Sequence, residues 1–477
     1  MPKNLNVLFL AAEAEPFVKV GGLGDVASAL PRALRNLPAD VRGDSVLDVR
    51  LVLPHHGVVK ADARPLAMFP LEREGRDVMV QVSETTLDGM PVYLLSGGPI
   101  TSVGSVYSSN PAIDAEKYSF FSLAALELPR VLNWNVDVIH AHDWHTALAV
   151  YAMLLKRRAG ESKGVASVLT LHNLPYMGAD LTEILASYNL PVAQTDLPDW
   201  AHALPLPLGI FSADAVVTVS PTYAEEILTP EFGCGLEDFI HRRREVLRGI
   251  INGIDTRTFD PAADPAIPFQ FTSENPAIRE KNKTALQEKL NLPVDPVTPM
   301  IAMVGRMDVQ KGVDLALNVL EKITDIPWQF VLLGTGDPAL EEAARKLQME
   351  YPGRVRAELR FDGALARHIY AAADMLLMPS RYEPCGLAQM IAMRYGCLPI
   401  VHATGGLKDT VTDEIGFVFK SATPRSLRTA LVKALSVYPD RDRWRTLQQA
   451  AMRKDFSWAQ PAREYFELYQ TLLLKEK

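Results

Sequence analysis

Short apolar runs alternate along this chain with longer stretches whose apolar positions recur at helical spacing. In the first half, residues 6–11, 49–52, 91–95, 136–141, 167–171 and 215–219 read as buried strands, with helices such as 23–37 and 146–156 between them. Ser220 before Pro221 reads as an N-cap followed by a favoured first helical residue. The pattern restarts near Met300, with strands at 299–305, 329–333, 374–378 and 398–401. Val313, Leu317, Leu320 and Ile323 form one helical stripe, and 338–350 and 388–395 read as further helices. Between the halves, residues 261–299 carry seven prolines among weak patterns and read as a connector or irregular insertion. After Phe456-Ser457-Trp458, a last helix lines up Tyr465, Leu468, Tyr469 and Leu472, a stripe suited to docking on a neighbouring domain. Such alternation predicts an α/β protein of two doubly wound domains separated by a deep cleft. The boundaries are 1–252, 253–455 and a terminal helix at 456–477 that packs back on the first domain.

Composition narrows this. A chain of 477 residues is too long for one core. Its 48% hydrophobic and 22% charged residues describe a globular enzyme, and a net charge of −8 argues against nucleic-acid or membrane partners. Cys234, Cys385 and Cys397 form no CxxC pair, which fits a reducing cytoplasm. Residues 6–11 already read as a strand, leaving no room for a leader, and the apolar region 204–213 is broken by Pro205 and Pro207.

The candidate chemistry sits where strands give way to helices. Glu383 lies in the loop after 374–378, and Gly386 lets backbone N–H groups approach a ligand. A carboxylate for sugar hydroxyls beside amides for phosphate suggests a sugar nucleotide; a solvated glutamate in a capped turn is the plainer alternative. Lys19-Val-Gly-Gly-Leu-Gly-Asp25 is a glycine turn with a cation at a helix start, where an anion is favoured; it is neither P-loop nor GxGxxG, and such a turn alone is more often structural. Arg306 and Lys311 flank another strand end, where two cations could meet one diphosphate or simply face solvent. Thr404-Gly405-Gly406 is a third such turn, and Gly334-Thr-Gly-Asp-Pro338 a weaker fourth. His140, His142, Asp143 and His145 invite a metal reading, but the HxHxDH pattern would need aspartate at Trp144, so no metal is assigned. His172 ends an apolar strand and reads as a pocket-lining or a structural histidine. Asp440-Arg-Asp442 mimics a DxD motif but lies far from any strand end and reads as a solvated turn.

Together these segments resemble the bacterial glycogen synthases and plant starch synthases. The segments run in order over nearly the whole chain: KVGGLGDV at 19–26, HAHDWHTAL at 140–148, TLHNLPYMG at 170–178, VSPTYAEEI at 219–227, FGCGLE at 232–237, INGID at 251–255, VGRMDVQKG at 304–312, LLGTGDP at 332–338, SRYEPCGLAQM at 380–390 and TGGLKDTV at 404–411. The resemblance implies a retaining glycosyltransferase of GT-B type. Its first Rossmann-like domain would serve the acceptor, and its second the nucleotide sugar. It implies transfer of glucose from ADP-glucose to an α-1,4-glucan, without cofactor or metal. Carried over by position, His172, Asp143, Arg306, Lys311 and Glu383 would be catalytic. Lys19, Gly21, Gly22, Asn252, Cys385, Gly386, Leu387, Thr404, Gly405 and Gly406 would bind the donor, and Phe361 would stack on the base in place of the usual tyrosine. The segment 203–209 departs from the family's pattern and its lysine, and 96–110 lacks the usual aromatics, so contacts there would differ. Ile391 stands where the wider superfamily has a ribose-binding glutamate, which synthases of this family also lack. The alternatives are a relative using UDP-glucose or a small acceptor, and a non-catalytic glucan- or nucleotide-binding paralogue.

Overall fold

The computed structural model describes residues 4–475 as two compact units, residues 4–253 with 458–475, and Ile254–Ser457. The first unit is built on a nine-stranded sheet. Its strands are β1 (Asn4–Leu10), β2 (Val46–Pro54), β3 (Arg64–Arg73), β4 (Arg76–Leu87), β5 (Met90–Ser96), β6 (Val138–His142), β7 (Ala166–Leu171), β8 (Ala215–Thr218) and β9 (Leu247–Gly249). Their order is β3-β4-β5-β2-β1-β6-β7-β8-β9. From β5 to β9 all neighbours are parallel, and β6, β7 and β8 are buried at every position. Continuous apolar runs are what a parallel strand covered on both faces requires.

The sequence reading misses β3, β4 and β9. The β3–β4–β5 part is an antiparallel meander whose outer strands alternate exposed and half-buried residues. Its two tight turns, Glu74-Gly75 and Asp88-Gly89, have positive φ at both central residues, the backbone that suits two-residue hairpins. The helix Ala459–Lys475 belongs to this unit: Ala462, Tyr465, Phe466, Tyr469 and Leu472 are buried in its core.

The second unit has six parallel strands, β10 (Met300–Val304), β11 (Gln329–Leu333), β12 (Val355–Glu358), β13 (Met375–Met378), β14 (Leu398–His402) and β15 (Phe417–Phe419). Their order, β12-β11-β10-β13-β14-β15, is the doubly wound 3-2-1-4-5-6 arrangement. The direction of winding reverses between β10 and β13, as it does between β1 and β6 in the first unit. Crevices that hold ligands form at the carboxyl ends of strands at such reversals.

Several expectations need correction. Residues 261–299 are part of the second unit and contain the helix Arg279–Lys289. Its buried positions 279, 282, 283, 286 and 287 have helical spacing, but all except Leu286 are polar. Arg279 donates to the carbonyls of Tyr370, Ala373 and Tyr395, and Lys283 to Asp374 at 2.7 Å and Tyr438 at 2.8 Å. The inward face is satisfied by hydrogen bonds, so a search for apolar periodicity passes over it. The helix begun at Val313 ends at Glu321, leaving Ile323 buried beyond it. Asp440 is a helix cap, accepting from Arg443 N–H at 3.1 Å at the start of Arg441–Arg453. No helix among the described residues is long and apolar enough to cross a membrane.

Candidate active site

In the second unit the loops after β10, β13 and β14 carry the candidate residues. Lys311 Nζ lies 2.8 and 2.6 Å from the two carboxylate oxygens of Glu383, and Ser380 Oγ donates to the same carboxylate at 3.1 Å. Glu383 is buried and Lys311 partly accessible, so the pair offers a charged edge backed by protein. Arg381 clamps the two loops together: it pairs with Asp314 at 2.9 and 2.7 Å, and its N–H donates to Gln310 carbonyl at 2.7 Å.

Two glycines are required by close approach. A Cβ on Gly312, at φ 69°, would meet Pro379 carbonyl at 2.2 Å, and one on Gly405, at φ 42°, would meet Glu383 carbonyl at 2.0 Å. Gly406 N–H donates to that carbonyl at 3.1 Å. Gly405 and Gly406 therefore bear on Glu383 through the backbone, with Thr404 just before them as the residue preceding the helix Gly405–Thr410, and Cys385, Gly386 and Leu387 follow Glu383 in its own loop. Arg306 is more exposed and pairs with Asp308 at 3.1 Å. Phe361 is 84% exposed in the loop after β12, open to stacking.

In the first unit, the chemistry gathers after β1, β6 and β7. Lys19 pairs with Asp25 at 2.6 Å instead of ranging freely. Sequence reasoning overlooks Glu13. This buried carboxylate accepts from the backbone N–H groups of Val20 and Gly21, the second at 3.1 Å, and from the Tyr107 hydroxyl at 3.3 Å. The glycine turn is thus held from inside, and Gly21 has its amide engaged before any ligand arrives. Burial raises the Glu13 pKa against the pull of those two amides. An acidic residue just beyond an apolar strand and before a glycine turn was the available signal.

Asp143 adopts φ 55° between β6 and the helix Trp144–Arg158, an uncommon conformation for a non-glycine residue. Its Oδ1 accepts from His172 N–H at 2.7 Å. Burial pushes the carboxyl up to about 7 against that bond and a second from Asn173. His172 is partly accessible, and desolvation of its ring pushes it down to about 3, so it is neutral at physiological pH. His172 Nε2 lies 2.9 Å from His142 Nδ1, and the His142 ring stacks on His140 at 4.3 Å. His140 bonds to Tyr469 and Thr170, both at 2.7 Å. Among the described residues no three His, Cys, Asp or Glu side chains are placed to hold a metal ion. Asn252 is buried near the end of this unit, its Oδ1 without a protein partner.

Residues 6–242 match the starch synthase catalytic domain, and residues 282–449 match glycosyl transferases group 1. The chain is 38% identical over 491 residues to a glycogen synthase of Streptococcus sanguinis, covering 98% of this chain and 100% of that one. It is 39% identical over 489 residues to a glycogen synthase of an Anaeromyxobacter species, covering 98% and 99%. Among solved structures, it is similar to the catalytic domain of starch synthase IV from Arabidopsis thaliana bound to ADP and acarbose. That match has a TM-score of 0.89 and 33% identity, over 99% of this chain and 100% of the other. A sucrose-phosphate synthase from Thermosynechococcus elongatus shares the fold, with a TM-score of 0.61 at 20% identity.

Proposed function

Because the chain belongs to the glycogen synthase and starch synthase family of GT-B glycosyltransferases, we propose that it transfers glucose from ADP-glucose to the non-reducing end of an α-1,4-glucan, with retention of configuration. The observation that carries this reading is the buried Glu383 carboxylate paired with Lys311 where the second sheet reverses its winding. Full-length similarity to glycogen synthases, and a solved relative that binds ADP, support it.

Lys311 and Arg306 hold the diphosphate and stabilise the charge that grows as the glycosidic bond breaks. Glu383 accepts from glucose hydroxyls, with the backbone of residues 385–387 and 404–406 beside it. Phe361 stacks on the base. Lys19, the Gly21–Gly22 turn and Asn252 contribute further donor contacts, and Asp143 and His172 line the glucose pocket. Asp143 is committed to backbone N–H groups, a poor state for a nucleophile, which favours front-face transfer with the leaving diphosphate assisting the acceptor hydroxyl.

The test is to incubate purified protein with ADP-glucose, UDP-glucose or GDP-glucose, with and without glycogen, and with and without EDTA. Glucose incorporation from ADP-glucose into glycogen, unaffected by EDTA and giving α-anomeric protons by NMR, is the expected result. Preference for UDP-glucose would reassign the donor, β-anomeric product would sink the retaining mechanism, and no transfer from any donor would leave a binding protein.

A further inference from the structure

His142 is the last residue of β6, beside β7, with His142 in register with Thr170. Its backbone is fixed by reciprocal bonds with Thr146 Oγ1 at 2.6 and 2.9 Å. Its ring is held between Phe9, at 4.4 Å, and His140, at 4.3 Å. It is fully buried, and its one ring hydrogen bond runs from Nδ1 to His172 Nε2. The other ring nitrogen, Nε2, has no protein partner.

Burial keeps both rings neutral, so each carries one proton, and for the facing nitrogens to bond at 2.9 Å one must donate and the other accept. Were His142 the acceptor, its proton would sit on Nε2 as a buried donor with no partner. Were it the donor, Nε2 would be an unfilled acceptor. Orphaned buried donors are the rarer case, and a lost donor bond is expensive, so the second arrangement is favoured. It follows that His172 accepts at Nε2 and carries its own proton on Nδ1, a nitrogen that bonds to no described residue. The backbone of His172 is fixed as well, by Asp143.

We propose that His142 is a positioning residue, whose Nδ1–H fixes His172 as a neutral Nδ1–H donor aimed at a hydroxyl-bearing substrate. This rests on the transferase reading above and adds that His172 is neither general base nor nucleophile, because its one lone pair is already taken. The role is polarity, not proton transfer.

Two measurements test it on the full chain. The first is ¹⁵N NMR of histidine-labelled wild-type protein without substrate, with the His172 signals assigned by a His172→Ala sample. Expected is a neutral ring protonated at Nδ1; a ring protonated at Nε2, or a charged one, would overturn the proposal. The second compares His142→Phe, which keeps a flat ring without a donor, with His142→Asn, whose side-chain amide stands close to the original Nδ1. His142→Phe should lower kcat/KM roughly ten- to hundredfold, and His142→Asn should restore most of it. Equal losses in both variants, or none in either, would make His142 structural only. Failure of wild type to use any sugar nucleotide would instead remove the transferase reading, and the NMR result would still decide the tautomer.

Discussion

Replacing Lys311 by alanine should lower turnover far more than it weakens donor binding. Two effects can be separated. In the resting protein the change strips Glu383 of its counter-charge, leaving a buried carboxylate with the Ser380 hydroxyl at 3.1 Å. Breaking a fully buried pair typically destabilises by about 3–5 kcal/mol. Here the Lys311 side chain is 22% exposed and water can enter the gap, so about 1–3 kcal/mol is the reasonable range. For a unit of this size that lowers Tm by roughly 2–12 °C. In the reaction, the lost cation would have gained strength as diphosphate charge developed, and removing one preorganised group of this kind costs about 3–4 kcal/mol, or roughly 10²–10³ in kcat. Lys311→Arg keeps the charge in a wider, planar head and should fall between. Initial rates of glucose incorporation, with a thermal melt of each variant, separate the two effects. A Lys311→Ala enzyme with unchanged kcat and raised donor KM would show uniform binding only, and would refute the leaving-group role.

Glu13→Ala should leave the Val20 and Gly21 amides unpaired and loosen the Lys19 turn, raising donor KM about tenfold, with ADP titration as the check; unchanged ADP affinity would dismiss Glu13 as a clamp. Gly405→Ala should displace the Glu383 carbonyl and abolish most activity, an outcome that wild-type rates would contradict. Asp143→Asn should grow more stable relative to wild type as pH rises. The folded carboxyl is held near 7 against 3.8 when free, so between those values the unfolded chain loses the proton first and wild-type stability falls with pH. Across the whole window the effect is at most ~4 kcal/mol. A difference in Tm between the two proteins that stays flat from about pH 4 to about pH 7 would rule out a raised Asp143.

The central parallel strands were legible because they are covered on both faces and largely apolar, whereas the parallel strands β9, β12 and β15 are too short and too open to stand out. The β3–β4 hairpin was not, since one face is open, although Asp88-Gly89 carried a usable turn signal. The helix Arg279–Lys289 was hidden by chemistry, its inward face being made of paired polar groups. At the site, Lys311 and Glu383 could each be placed at a strand end. Their contact depends on β10 lying beside β13, which is a matter of strand order and not of local pattern. Glu13 escaped, and His142 was read only as a candidate metal ligand, for a related reason. Each acts on a neighbour brought near by folding, Glu13 on backbone amides and His142 on a ring from the next strand.

Because the first unit includes residues from both ends of the chain, its completion has an order in time. Residues 254–457 form a contiguous stretch that can fold as soon as it leaves the ribosome. The nine-stranded sheet must wait for Tyr465, Tyr469 and Leu472 to fill its core and for the Tyr469 hydroxyl to reach His140. At ordinary synthesis rates the gap after Gly253 lasts roughly 10–40 s, during which the sheet's helix-docking face stays bare and open to chaperones. A chain cut short before Trp458 would keep the later-made unit and lose the earlier one.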